Sequence, residues 1–214
     1  MNGEDESIKR SKYELDRVLA LSDGVFAFAI TLLVLDLVVP VLSSGASSAD
    51  LLNALSKELS SFFSYLISFF IVGFWWNSHN MSFRHIRNCD SILRWLNLLF
   101  LLWIAVLPFF TKILDQYQTL QSAVVLYAVD QAAAGIFMSL MWWYATRNHR
   151  LVDRNLKKST IRSRLLSTIV APILFIVSMG ISFASPTIAI YSWFTVFPVL
   201  FVTHRLERES EKKS

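Results

Sequence analysis

Apolar residues in this chain are gathered into long runs, and short polar segments separate each run from the next. The first run extends from Arg17 to Pro40, and Asp36 is its only ionisable residue after Gly24. A helix of roughly 20 apolar residues is long enough to cross the hydrocarbon core of a bilayer. By this criterion the sequence predicts six membrane spans, at residues 17–40, 59–77, 92–113, 119–145, 163–184 and 188–204.

The predicted fold class is an all-α integral membrane protein, with one six-helix domain over residues 1–214. Hydrophobic residues make up 54% of the sequence and the mean hydropathy is +0.48, which excludes an ordinary soluble domain. After Pro40, a loop rich in Ser and Gly is followed by a short polar helix from Asp50 to Glu58, which leads into the second span. Trp75 and Trp76, near the end of the second span, are expected to anchor it at the membrane interface.

The distribution of Lys and Arg predicts the orientation of the spans, because connectors on the cytoplasmic side carry the excess of these residues. Of the twenty Lys and Arg, only Lys57 and Lys112 fall in the other set of connectors. Six spans therefore place both termini in the cytoplasm. The basic residues border the spans instead of forming one patch, so the pI of about 9.3 indicates a lipid bilayer as partner and no nucleic acid.

Motifs of the common enzyme and metal-binding classes are missing from the sequence. There is no HExxH, GxSxG or P-loop pattern, so no enzymatic activity is expected. The single cysteine, Cys89, cannot form an intrachain disulfide, and no Cys and His cluster has zinc-ligand spacing. We therefore expect no cofactor and no bound metal. The potassium-filter signature TVGYG is also missing, so a channel built from this chain would use side chains to contact ions.

The first span has faces of different character. Phe28, Leu32 and Leu35 follow the spacing of one helix face and fall within about 60° of one another, with Thr31 beside them. Asp23 points about 150° away from the middle of this stripe, so the two sides of the helix meet different environments. Periodicity alone fits two interpretations of the stripe, which are packing on helices or lipid and the lining of an ion path.

A group of polar residues shares one depth at the cytoplasmic ends of the first three spans. Asp23 lies there with His79 and Asn97, and Arg17 offers a charge partner. A buried carboxylate in a membrane helix costs a few kcal/mol unless it is paired. The residues therefore predict a polar network at this end. Its role is either to tie the helices together or to titrate as a gating switch.

Two further carboxylates lie within or beside the spans. Asp130 stands in the middle of the fourth span and must face protein or water. Together with His79 it suggests a proton- or ion-coupled secondary transporter, although no internal repeat typical of such proteins is evident. Asp36 either draws cations to a pore mouth or is an ordinary interfacial carboxylate. A scaffold without transport activity is the third possible function.

Specific motifs connect the sequence to a known family. Arg17 is followed, after three residues, by Leu21, Ser22 and Asp23, and then by GVFAFAITLLVLDL, WWNSHN and NLLFLLWIAVLPFFTK. In these motifs the chain resembles the short prokaryotic branch of the transmembrane protein 175 family, although the family has Phe where Leu21 stands. Members of this family are potassium-permeable channels. The resemblance covers the first three spans well and the last three by number and orientation.

The resemblance implies how the chain would conduct ions. In the family the first span of each subunit lines the pore, so Phe28, Leu32 and Leu35 would form the constriction and Thr31 would influence potassium selectivity. Phe28 is a departure, because Ile is common at that position. With one repeat in the chain, the family pattern implies a homotetramer in a prokaryotic cell membrane. Because no carbonyl filter is available, we expect only a modest preference for potassium over sodium. The motif also adds Ser22 to the predicted network of Arg17, Asp23, His79 and Asn97.

Overall fold

The structure is a computed structural model that describes residues 2–195, with side chains described from residue 12 onward. Helices account for most of this part of the chain. They are α1 (Asn2–Leu33), α2 (Ser48–Lys57), α3 (Leu59–Phe83), α4 (Ser91–Gln116), α5 (Gln121–Thr146), α6 (Lys158–Ser182) and α7 (Pro186–Ser192), with single 3-10 turns at Val34–Asp36, Arg147–His149 and Trp193–Thr195.

Five segments of the described chain are long and apolar enough to cross a membrane. They correspond to the first five predicted spans, so the prediction of an all-α membrane protein is confirmed. The sixth predicted span, 188–204, begins in α7 and for the most part lies outside the described residues. The five segments are Lys12–Asp36, Leu59–Phe83, Ser91–Gln116, Gln121–His149 and Lys158–Ser182.

The first span differs from its predicted bounds at both ends. Helix α1 begins at Asn2, so the polar N-terminal segment continues the helix instead of preceding it. At the other end α1 stops at Leu33, before the predicted end at Pro40, and Leu37 is already extended with ψ 117°. Pro40 disfavours a helix that continues to the predicted end, because its ring would clash with the carbonyl of Asp36 and disfavours helical geometry at Val39. The helix ends several residues earlier than the proline requires.

The helices pack in a definite order. Helix α1 rests on α3 and α4, α4 rests on α5, and α5 pairs with α6. Large side chains that are fully buried fill the space between them, among them Trp75, Phe100, Tyr127 and Trp142. Trp75 was wrongly predicted to be an interfacial anchor. It is buried because α3 continues to Phe83 and places this residue well inside the bundle.

Helices α5 and α6 approach each other closely where Gly135 faces Pro172. A Cβ atom added to Gly135 would lie 2.6 Å from Cδ of Pro172, which is closer than real carbon atoms come. Small residues allow membrane helices to pack in this way, and van der Waals contact is the main force between helices in lipid. The close crossing of α5 and α6 therefore depends on a glycine, which has no side chain, at position 135.

The α3–α4 and α5–α6 connectors meet at the basic end of the bundle. An isolated antiparallel bridge joins Ile86 to Val152, and the amide of Arg87 donates to the carbonyl of Leu151 at 2.8 Å. Asn148 turns the second connector with φ 54°, in the left-handed region that Asn tolerates better than most residues. The two connectors are thus held together as one surface.

The Gly135 contact yields a prediction about stability. Gly135→Ala should destabilise the protein by about 1–3 kcal/mol, because the new methyl group overpacks the crossing against Pro172. Gly180→Ala is the matched control, since it lies in α6 with no atom within 4 Å of an added Cβ. Thermal unfolding in detergent measures both variants. Equal midpoints for the two would show that the helices do not cross closely at Gly135.

Candidate functional site

One face of α1 is buried against the rest of the chain. Its residues recur at spacings of three and four, as a single helix face requires. This face meets α3 and α4 and determines how α1 is oriented. The buried residues between Val18 and Leu33 are Val18, Ser22, Phe26, Ala29 and Leu33.

A chain of hydrogen bonds joins this face to the two neighbouring helices. His79 Nε2 lies 2.8 Å from Asn97 Oδ1, and because that oxygen can only accept, the imidazole donates. Asn97 Nδ2 donates to Ser22 Oγ at 3.1 Å, and Ser22 donates in turn to the carbonyl of Val18 at 2.8 Å. Polar side chains from α3, α4 and α1 are thereby joined by hydrogen bonds inside the membrane domain.

Aromatic rings enclose His79 on several sides. The Phe83 ring stacks on the imidazole at a centroid distance of 4.2 Å, and the Phe100 ring lies at 5.7 Å in a nearly parallel plane. Phe26 meets it edge-on at 5.8 Å. His79 Nδ1 has no hydrogen-bond partner within the described residues. The rings thus hold the imidazole with Nε2 directed at Asn97.

Arg17 and Asp23 lie on the exposed side of α1, outside the hydrogen-bond chain of Ser22, Asn97 and His79. The Asp23 carboxylate accepts from Trp76 Nε1 at 2.9 Å, and the Arg17 guanidinium lies 5.9 Å from the centre of the Tyr13 ring. Within the described part of the chain no ion pair joins Arg17 to Asp23. They are six positions apart in the sequence, which places them about 120° apart around α1 and about 9 Å apart along its axis.

The apolar stripe of α1 is largely uncovered. Phe28 is 65% exposed and Leu35 is 72% exposed, whereas Leu32 at the margin of the stripe is half-buried. Thr31 is exposed between them and donates its hydroxyl to the carbonyl of Phe28 at 2.8 Å. The structure therefore leaves Phe28, Thr31 and Leu35 free to face something other than this chain.

The outer end of α1 is held by an ion pair. Leu35 belongs to the 3-10 turn that follows α1, and the next residue, Asp36, lies 3.1 Å from Lys112 Nζ of α4. This pairing gives Asp36 a structural contact, which sequence reasoning did not anticipate. Because a 3-10 turn rotates by about 120° per residue instead of 100°, the direction of Leu35 differs from that of an unbroken α-helix.

Asp130 belongs to a second polar cluster, in the middle of α5. As expected it faces protein, because its side chain is fully buried. Gln131 Nε2 donates to Asp130 Oδ2 at 2.8 Å, and Trp75 Nε1 donates to Gln131 Oε1 at 2.8 Å. No hydrogen bond within the described residues links this cluster to His79. The same part of the chain holds no group of acidic, His and Cys residues suited to a metal ion.

Arg164 is a residue that sequence reasoning missed. The sequence places it at the end of a basic connector, yet it is 4% exposed and reaches from α6 to the end of α3. Its guanidinium donates to the carbonyl of Ser78 and, at 3.1 Å, to the hydroxyl of Ser82. Carbonyls at a helix C-terminus attract a cation. Arg164 therefore steadies the turn of α3 that carries His79.

Comparisons with known proteins show what the chain is similar to. A model of the family described as endosomal/lysosomal potassium channel TMEM175 matches residues 17–108. A potassium channel from Streptomyces collinus is 30% identical over 198 residues, which cover 87% of this chain and 95% of that protein. The human endosomal/lysosomal proton channel TMEM175 is 37% identical over 98 residues, 44% of this chain and 19% of the human protein.

A solved structure is similar over nearly the whole chain. It is the crystal structure of a lysosomal potassium-selective channel TMEM175 homolog from Chamaesiphon minutus. The two structures superpose with a TM-score of 0.76 at 26% identity, over 89% of this chain and 97% of that one. The similarity in sequence and in fold thus extends well beyond the matched residues 17–108.

The hydrogen-bond chain yields a prediction about stability. Asn97→Ala should lower the free energy of unfolding by about 1–3 kcal/mol, because it leaves the buried N–H of His79 without an acceptor. Asn53→Ala, at an exposed position of α2, is the matched control. Thermal unfolding of the purified protein compares them. If both variants unfold at the wild-type midpoint, the His79–Asn97 bond contributes nothing to stability.

Proposed function

Because the chain belongs to the TMEM175 family, we propose that it is a potassium-permeable cation channel whose pore is lined by α1. The observation that carries this proposal is the uncovered face of α1, where polar and apolar residues alternate along the helix. Phe28 and Leu35 are exposed there together with Thr31, and Arg17 is exposed in line with them. Asp23 is also exposed, but it lies about 140° around the helix from Phe28, on the side of Trp76 of α3.

The ionisable residues exposed on α1 argue against contact with lipid alone. An ionisable side chain in a membrane helix normally faces a protein interior or a water-filled cavity. Asp23 is exposed in the single chain, and its one described bond, to Trp76, leaves the carboxylate accessible. Neighbouring subunits and a water-filled path would give this face the surroundings that its residues require.

The apolar residues would form the narrowest part of the path. Rings of Phe28 and Leu35 side chains would surround the axis, with the half-buried Leu32 at the edge of the constriction. A narrow apolar neck loses its water, so an ion that enters it must leave hydration behind. Such a neck restricts ion flow without a rigid steric plug, and its width determines conduction.

Thr31 is suited to influence selectivity. Its hydroxyl hydrogen points to the carbonyl of Phe28, so the lone pairs of its oxygen are left for a cation. A few hydroxyl groups replace only part of a hydration shell, in contrast to a complete carbonyl cage. We therefore expect only a modest preference for potassium over sodium.

A single α1 cannot enclose a path, so the channel must be a homo-oligomer, and we propose a tetramer. Beside Phe28 a groove of about 430 Å³ opens on the uncovered face, lined also by Leu21, Gly24 and Ala105. Small residues at such a place let a neighbouring helix approach closely. The proposed location is a prokaryotic cell membrane, with both termini in the cytoplasm.

The alternative of a proton- or ion-coupled transporter has less support. It required a relay between Asp130 and His79, but the two side chains bond to different partners. Asp130 is tied to Gln131, whereas His79 is tied to Asn97. The polar groups act within the bundle to hold helices together, and the uncovered α1 face remains the better candidate for an ion path.

Mass measurement tests the assembly. The purified protein in detergent or nanodiscs should have four times the mass of the 24.5 kDa chain. A tetramer is expected because four copies of one lining helix enclose an ion path of the proposed kind. A monomer that persists in nanodiscs and still carries full ion flux would show that the path runs through a single chain.

Ion flux tests the lining residues. Phe28→Ala and Leu35→Ala should each raise potassium flux in liposomes several-fold, because a smaller side chain widens and wets the neck. Leu32→Ala should have a smaller effect, since Leu32 is half-buried. Thr31→Ala should lower the preference for potassium over sodium, measured as a shift of reversal potential in bilayer recordings under opposed gradients.

Matched controls separate the pore from general effects on folding. Phe183→Ala and Leu52→Ala remove side chains that are 78% and 68% exposed, comparable to 65% for Phe28 and 72% for Leu35. Phe183 follows α6 and Leu52 belongs to α2, so neither lies on α1. Both controls should conduct like the wild type. Unchanged currents in all the α1 variants would place the ion path elsewhere and return the stripe to a packing role.

A further inference from the structure

A membrane-facing groove lies between α5 and α6, on the side of the bundle remote from α1. Its volume is about 430 Å³, within the range of small-ligand sites. Apart from one serine, its lining is apolar or aromatic, and the hydroxyl of Ser139 is occupied by a bond to the carbonyl of Gly135. The main lining residues are Ile136, Leu140, Trp143, Leu165, Ile169 and Ile173.

Both walls of this groove continue into basic residues at the same end. On α5, Ile136, Leu140 and Trp143 follow one helix face, and Arg147 comes next at the same spacing. On α6, Leu165 and Ile169 lie on one face, and Arg162 precedes them on that face. Each wall thus changes from apolar to cationic as it approaches the connectors.

The two cationic ends lie at one level. The indole N–H of Trp142 donates to the carbonyl of Ile161 at 3.0 Å, which places the end of α5 beside the start of α6. The guanidinium of Arg147 lies 5.1 Å from the centre of the Trp143 ring, and Trp143 lines the groove. Because the end of α5 lies beside the start of α6, Arg147 and Arg162 lie near the same end of the groove.

Among the residues that the structure describes, no carboxylate neutralises either arginine. Arg147 and Arg162 are exposed, and within the described part of the chain neither forms an ion pair with a carboxylate. Other basic residues at this end do have such partners, since Arg94 pairs with Glu14 and Arg150 lies near Asp90. Two exposed guanidinium groups beside an apolar groove are complementary to an anionic head group with an acyl chain.

We propose that this groove binds an anionic phospholipid of the cytoplasmic leaflet. One acyl chain lies along Leu140 and Ile169, and the phosphate is held between Arg147 and Arg162. A second copy of the chain is a poorer occupant, because α1 rests on α3 and α4 while the α5–α6 pair lies behind α4. The inference goes beyond the proposed conduction and does not require it.

Lipid binding to the purified, full-length protein tests the proposal by native mass spectrometry. Wild type should bind phosphatidylglycerol more tightly than phosphatidylcholine with the same acyl chains. An arginine that contacts the bound head group contributes about fivefold to the binding of anionic lipid, so Arg147→Gln with Arg162→Gln should weaken phosphatidylglycerol binding by about 30-fold. Phosphatidylcholine binding should remain as in the wild type.

Two further variants separate a built site from surface charge. Arg84→Gln with Arg87→Gln removes two exposed arginines from the α3–α4 connector and should change phosphatidylglycerol binding little. Ile169→Trp fills the groove and should weaken the binding of both lipids. An equal loss in the two double arginine variants would overturn the proposal, as would a wild-type protein that does not prefer the anionic lipid.

A cross-link tests the competing occupant. Ile173→Cys, in a Cys89→Ser background, places a thiol in the groove as the protein's only cysteine. If lipid fills the groove, oxidation should leave the chains unlinked. Efficient disulfide formation between two chains would show that a second copy covers this surface, and the lipid proposal would be wrong.

Discussion

The hydrogen-bond chain from His79 through Asn97 to Ser22 is the interaction on which the arrangement of α1 depends. In hydrocarbon a polar side chain without a partner is costly, and hydrogen bonds among these three groups reduce that cost inside the bundle. Their bonds join α3, α4 and α1 at one depth. The aromatic rings of Phe83 and Phe100 pack against the His79 imidazole and fix its orientation.

Anchoring one side of α1 determines what the other side can do. Because Ser22 and Phe26 point into the bundle, Phe28 and Thr31 must point out of it. A membrane helix that was apolar on all sides would have no preferred rotation about its axis. Here a few buried polar atoms select one rotation, and the lining face proposed for the channel is the consequence of that choice.

Some of this arrangement follows from sequence and some does not. The apolar runs predict the five membrane-spanning helices of the described chain because length and hydropathy determine whether a helix can cross a bilayer. Shared depth grouped His79 and Asn97, and the family motif added Ser22. Neither could separate these residues from Arg17 and Asp23, whose rotation about the helix differs. The burial of Trp75 was missed because it depends on how far α3 continues. The burial of Arg164 was missed because the sequence does not show which residue of the connector reaches the end of α3.

The two ends of α1 are held by interactions of different strength. At the inner end the bonds of Ser22 and Asn97 are buried, so breaking one leaves a polar group without water to replace its partner. At the outer end Lys112 and Asp36 form an ion pair that water reaches, and such pairs contribute at most about 1 kcal/mol. Leu35 follows the last turn of α1 and relies on this weaker contact. The outer end of the stripe is therefore held less firmly than the inner end at Ser22.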